Sequence, residues 1–450
     1  MAYSIFSLTG RANPNLLAEK MYRQQWKRNS FGLWVAPEFV KATRDTSDTV
    51  VPGANGEPRP TGAPIEVFRQ FVKAGKTTLD IPVRVRLTAA PVYGDKALKG
   101  TEESAKVVYR TVKINITRKA YNRPTGISAQ ITLPWLENLI TDASMYLTDW
   151  WNDYHPGNFI ATQTAGASLD LLAPAAEGGR AVSIVSHPNF YGLGQGKAAY
   201  TAGRPGTSAY EATVETIVDA ASVAGTHGLS VAKIQALVLE AQRLRIQPTV
   251  MRGGFRRFPI WLSDSQWMQL ASDTDFKEFY RRLPNELDNH PLATGARADL
   301  FGAIIYVDQN MPGAITNANP YDAASPPTAG TVEYGVSPTA ANRVKGYKFG
   351  DMINNRSTVD RKVGFLLGPG AMSVGVGIPV YGNKRGPSMQ FNEEFDDYGA
   401  ISSIGIATVQ SVVRSDIYDQ DGMTGLTAGQ FYENTSGLNF VSYSPDEITI

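Results

Sequence analysis

Hydrophobic and polar residues alternate most regularly over residues 76–118. Leu79, Ile81, Val83, Val85 and Leu87 alternate with Asp80, Pro82, Arg84 and Arg86. That is the period-two pattern of a strand with one apolar face. Val108, Val112, Ile114 and Ile116 repeat it, with Tyr109, Thr111, Lys113 and Asn115 opposite. Between the runs lie Pro91, Gly94, Asp95, Lys96, Lys99, Gly100, Glu102 and Glu103, a charged tip. The pattern predicts a long two-stranded ribbon, its strands reaching about 40 Å at about 3.3 Å per residue. A lone hairpin is marginal in water, so the apolar face is expected to find cover on another subunit. On that reading, Asp at Val83 or Ile114 blocks assembly and leaves soluble monomers.

A helix is predicted next, over 132–154. Thr132 can cap it and Pro134 fits its first turn. Leu136, Leu139, Ile140, Ala143, Leu147, Trp150, Trp151 and Tyr154 recur at three and four, and Pro156-Gly157 is expected to stop it. The two tryptophans read as core anchors. A second helix is predicted over 230–245, with Ile234, Leu237, Val238, Ala241 and Leu244 buried. Strands are predicted at 257–262, 302–308, 363–367 and 401–413. Ser263 and Gln266 have capping-box spacing for a further helix. Helices and strands alternate only partly, which gives an α+β fold class. Near the N-terminus, Leu17, Met21, Tyr22 and Trp26 share a helical stripe beside Lys20, Arg23, Lys27 and Arg28. This basic amphipathic segment is either a solvated surface helix or a contact with neighbouring subunits or enclosed nucleic acid.

Composition narrows the chemistry. The 450 residues carry a net charge of +1, which gives no global attraction to nucleic acid or membrane. With no cysteine, disulfides, thiolate metal sites and Cys nucleophiles are excluded. No signal peptide or membrane span is read. Gly and Pro gather at 164–228 and 310–346, irregular stretches of a length usually reserved for function or for packing on a partner. His155, His187, His227 and His290 each read as loop residues, without zinc-hydrolase spacing. Gly75-Lys76-Thr77 lacks the earlier glycine of a phosphate loop. Gly192-Leu193-Gly194-Gln195-Gly196 is half a dinucleotide fingerprint. Ser230-Val231-Ala232-Lys233 is better explained as a helix cap than as a serine–lysine hydrolase. Catalytic, cofactor and metal sites are therefore all expected to be none. Glu393, Glu394, Asp396 and Asp397, with Lys384 and Arg385 before them, form the densest charge run. They fit a solvated turn, intersubunit ion pairs, a cation site or a carboxylate pair for acid–base work.

These elements, in this order, resemble the major capsid protein of tailed bacteriophages, in the branch first described from a podophage with a virion RNA polymerase. Residues 75–83 are similar to that family's "G-x-T-hydrophobic-x-hydrophobic-P" entry to its extended loop. Residues 92–103 (Val92, Tyr93, Gly94, Asp95, through Gly100, Thr101, Glu102, Glu103) resemble its "G-D-x-x-L-x-G-x-E-E" tip. Residues 112–118 resemble the return strand, and Leu147 to Trp151 the "L-x-x-W" of the long helix. Leu366-Leu367-Gly368 with Ala371, and Asp397-Tyr398-Gly399, match later landmarks.

The resemblance implies a Hong-Kong-97-type major capsid fold, α+β, with these parts. An N-terminal arm and linker span 1–63, and an extended loop 64–118. A peripheral domain with a spine helix spans 119–168, an axial domain with irregular insertions 169–398, a return strand 399–417 and a C-terminal tail 418–450. It implies a self-assembling, non-enzymatic structural subunit. Hexamers and pentamers would tile an icosahedral virion shell around double-stranded DNA, held without sequence specificity. Portal, scaffolding and decoration proteins are implied partners, with assembly in the host cytoplasm and no membrane. The assembly residues would be Leu79, Ile81, Val83, Val85, Leu87, Lys96, Lys99, Glu102, Glu103, Val112, Ile114 and Ile116. Arm contacts would come from Arg23, Trp26, Lys27 and Arg28. Intersubunit ion pairs would use Lys384, Arg385, Glu393, Glu394, Asp396 and Asp397. A cellular nanocompartment shell of the encapsulin kind and a virion-associated hydrolase remain as alternatives.

Overall fold

The structure is a computed structural model. It describes residues 30–35, 63–68, 77–84, 91–95, 99–100, 102, 107–122, 139–166, 168, 189–193, 196–197, 216–217, 227–250, 255–282, 296–308, 311, 315–316, 344–345, 361–377, 389–396, 401–419, 430–434 and 436–444.

Two sheets organise these residues. In the first, β1 (Ile65–Phe68) runs parallel to β14 (Met372–Val376), which pairs antiparallel with β16 (Ile401–Arg414). The long β16 also carries β15 (Met389–Asp396) and β4 (Ile116–Asn122), both antiparallel. In the second sheet the order is β6 (Gly196–Lys197), β5 (Phe190–Gly192), β19 (Gly437–Tyr443), β13 (Arg361–Leu367), β8 (Arg256–Leu262), β10 (Ala303–Val307) and β9 (Ala296–Leu300). A short β7 (Thr249–Val250) joins β8, and β11 (Ile315–Thr316) with β12 (Val344–Lys345) forms a separate pair. Of the dinucleotide-like glycines, Gly192 ends β5 and Gly196 begins β6, two strands that pair antiparallel.

Alternation along each strand divides the second sheet's two faces between two cores. Phe258, Ile260, Leu262, Ala303, Ile305, Leu366 and Phe440 face helices α2 (Val231–Arg243), α3 (Asp264–Ser272) and α4 (Thr274–Arg282). Trp261, Ile304, Tyr306, Phe365 and Leu367 face the other way, against α1 (Leu139–Ala165) and the first sheet. A 3-10 turn at Ser30–Trp34 plugs that second core. Phe31 stacks on Trp261 at 4.6 Å and on Phe159 at 5.1 Å, and the Trp261 indole N–H donates to Ser30 Oγ at 3.0 Å.

The predicted α+β class holds, and the predicted strands appear within a residue or two. The helix α1 departs from expectation. It runs through Pro156 to Ala165, so Pro156-Gly157 does not stop it. Proline removes one backbone bond, a loss on the order of 3 kcal/mol in an exposed helix. Here the following turn is held by burial of Phe159, Ile160 and Ala161. Its predicted beginning at 132–138 lies outside the described residues. Trp151 is buried as expected, whereas Trp150 is half-buried beside it. One histidine read as a loop residue is placed differently: His155 is inside α1 and buried, whereas His227 lies in a bend as read, though it too is buried. Ser263 and Gln266 do form the reciprocal capping box, at 3.2 and 3.0 Å. Ser230 occupies the cap of α2 without a side-chain capping bond. Asp273 Oδ2 accepts from Val231 N–H instead, at 2.8 Å.

Candidate assembly interface

The ribbon exists. β2 (Thr78–Arg84) pairs antiparallel with β3 (Val107–Lys113) in unbroken register, from Thr78–Lys113 to Arg84–Val107. It belongs to a third, four-stranded sheet in the order β18 (Gln430–Glu433), β17 (Ile417–Asp419), β3, β2. Thr111 Oγ1 donates to Asp80 Oδ1 across the pair at 2.6 Å.

Its apolar face is not bare at the root. Val108 and Val112 are buried within their own subunit, each contributing about 1.5–3 kcal/mol by burial. Leu79 and Ile81 are half-buried. Ile114 is half-buried as well, and its Cδ1 would lie 3.2 Å from a Cβ placed on Gly377. The expectation that another subunit must cover this face is corrected for the root, where the first sheet already covers it. An Asp at Ile114 would therefore disturb the subunit itself. Ile116 is exposed but lies on β4, in the first sheet, because the chain leaves the ribbon at Ile114-Asn115. The return strand is thus two strands in two sheets.

Arg110 clamps the root. Its guanidinium donates to Glu66 Oε2 at 2.6 Å, to Ser415 Oγ at 3.0 Å and to the Gly370 carbonyl at 3.4 Å, and it lies 5.6 Å from the Phe68 ring centre. One side chain on the ribbon thereby holds β1, the turn before β14 and the end of β16. A planar, five-donor cation suits such branching contacts.

The tip is the opposite case. Tyr93 is 76% exposed, and Asp95, Lys99 and Glu102 are exposed. Gly94 and Gly100 have φ of +70° and +90° with open space where a Cβ would sit. Glycine is required there for backbone conformation and not for packing. Glu102 Oε2 accepts from Gly100 N–H at 2.6 Å and closes the turn. Val85, Leu87, Lys96 and Glu103 lie outside the described residues, as do Arg23, Trp26, Lys27, Arg28, Lys384, Arg385 and Asp397. Glu393, Glu394 and Asp396 lie on β15, so the expected solvated turn is a strand paired to β16.

Sequence reasoning missed the buried polar seam that joins the sheets. Arg414 and Asp416 pair at 2.8 Å, almost fully buried. Arg414 Nη1 donates to the Gln163 carbonyl at 3.1 Å, and Asn434 Nδ2 to Asp416 Oδ1 at 2.8 Å. Gln163 and Asn439 exchange two bonds of 3.2 Å. The seam links the end of α1, the end of β16 and the start of β19. Residues 418–450 were read as a tail, yet β19 lies between β5 and β13 inside the second sheet. The only sequence signal was the apolar run Leu438, Phe440, Val441. Also missed was the plug at Ser30–Trp34, whose signal was Phe31 and Trp34 in a short apolar stretch.

Two solved structures share this arrangement over nearly the whole chain. The capsid of Ralstonia phage GP4 matches with a TM-score of 0.52 at 15% identity, covering 91% of this chain and 97% of that one. The capsid asymmetric unit of cyanophage Pam1 matches with a TM-score of 0.54 at 16% identity, covering 90% and 96%. This chain has the Hong-Kong-97-type capsid fold. No family model and no curated protein matches it. Among the described residues, no group of three or more His, Asp or Glu side chains could hold a metal ion, and no helix is long and apolar enough to cross a membrane.

Proposed function

We propose that this chain is the shell-forming structural subunit of an icosahedral tailed-phage capsid. The observation that carries the reading is the Hong-Kong-97-type fold over about nine-tenths of the chain, shared with two phage capsid proteins. Copies assemble into hexamers and pentamers and enclose double-stranded DNA held without sequence specificity. Assembly takes place in the host cytoplasm, and the subunit itself catalyses nothing. Portal, scaffolding and decoration proteins are its further partners.

The working parts are an extended loop within 64–118, a peripheral domain of 119–168 with the return strand 399–417, and an axial domain within 169–398. The exposed tip, with Lys96, Lys99, Glu102 and Glu103, reaches a neighbouring copy. Val83, Val85 and Leu87 contribute along the ribbon beyond its covered root. Arg23, Trp26, Lys27 and Arg28 extend the arm to a neighbour. Glu393, Glu394 and Asp396 on β15, with Asp397, form intersubunit ion pairs with Lys384 and Arg385.

The test is assembly. The purified chain, alone and co-produced with its candidate scaffolding protein, is imaged by electron cryomicroscopy and sized by sedimentation. Closed shells built of this chain are expected. Particles no larger than dimers under both conditions, from protein with intact ends, would sink the reading.

A further inference from the structure

The outer edge of β2 supports an inference that stands whether or not the chain forms a shell. Antiparallel strands alternate between residues whose N–H and C=O point at the partner and residues whose groups point away. Ile114 N–H donates to the Thr77 carbonyl at 3.0 Å. These two residues sit opposite each other one step before the Thr78–Lys113 pair, and the register from there is unbroken. Counting along it, Leu79, Ile81 and Val83 turn their backbone groups toward β3. Thr78, Asp80, Pro82 and Arg84 turn theirs outward. The short side-chain bond between Asp80 and Thr111 fits, because opposed side chains come closest at pairs that do not bond through the backbone.

Among the described residues β2 is the last strand of its sheet, and Thr78, Asp80 and Pro82 are all exposed. An open row of this kind is a template for pairing with another extended chain. Near its middle stands Pro82, which has no N–H to offer. One residue earlier or later, a proline would cost the ribbon an inward bond. At this position it costs the ladder nothing. We infer that Pro82 is an edge guard. It prevents the ribbon of one copy from joining the ribbon of another edge to edge, and so leaves faces and tip as the surfaces through which a second copy is met.

Pro82→Thr and Pro82→Ala both restore an outward N–H, one with a strand-favouring side chain and one without. The full chain and both variants are compared by thermal melting, by the fraction sedimenting as irregular aggregate, and by hydrogen exchange at residues 78–84 in that aggregate. Melting within a few degrees of the parent is expected. So is a several-fold rise in aggregate whose 78–84 amides are newly protected. The inference fails if aggregation does not rise, or if it rises while those amides exchange freely. It also fails if neither variant folds, since Pro82 would then be holding the hairpin together. A parent chain that never forms shells leaves this readout unchanged, so the two proposals fail separately.

Discussion

The root and the tip of the ribbon are made of one hairpin but obey different physics. At the root, Val108 and Val112 are core residues and Arg110 is tied to three elements. At the tip, Tyr93 stands in solvent and the two turn glycines have nothing within 4 Å of a built Cβ. Period-two alternation runs through the root strands on either side of that tip. It marks a strand with one apolar face, and it is silent on whether that face is covered by the same chain or by another. The lesson is that the subunit fixes the direction of the ribbon at its base, while the described residues of its far end stand exposed.

The sharpest way to break this contrast is a charge at the root. Val112→Asp places a carboxylate in the core and is expected to cost about 3–5 kcal/mol of subunit stability, read by denaturant unfolding. A normal unfolding midpoint would mean that the root is not core. Next comes acid. Burial lowers the pKa of His155 from 6.5 to about 3. The unfolded chain therefore binds the extra proton first as pH falls, so this contribution to stability is present above about 6.5 and is lost progressively toward about 3. His155→Gln should flatten the unfolding midpoint across that window. An unchanged slope would exclude His155 as its source.

Arg110→Ala should cost less, about 1–3 kcal/mol, since Glu66 is partly solvated and keeps water as a partner. Hydrogen exchange in β2 and β3 should rise with it. Unaltered exchange would show that the clamp is not what holds the root. The smallest effect on stability belongs to the tip. Tyr93→Ala or Lys99→Ala should shift unfolding by less than about 0.5 kcal/mol while lowering the yield of assembled particles. A tip variant that destabilises the isolated subunit, or that assembles like the parent, would erase the distinction between the two ends.

What the sequence determined by itself was local. Period two at residues 79–87 and 108–116 pointed to the ribbon, although the structure carries Ile116 over to β4. Period 3.6 specified α2. Ser263 and Gln266 specified a cap, because each of these signals is written in neighbours a few residues apart. The fold class followed from the order of those elements. Only the tertiary structure decided the rest. Pro156 sits inside α1 because burial of the next turn outweighs one missing bond, a quantity that no local pattern encodes. His155 is neutral because other elements enclose it. The Arg414–Asp416 seam joins residues from 163 to 439, and polar groups that satisfy one another across such separations look like ordinary surface residues in a list. The same holds for the ribbon: its alternation was legible, but whether its apolar face meets its own sheet or another molecule depends on contacts that exist only once the chain has folded.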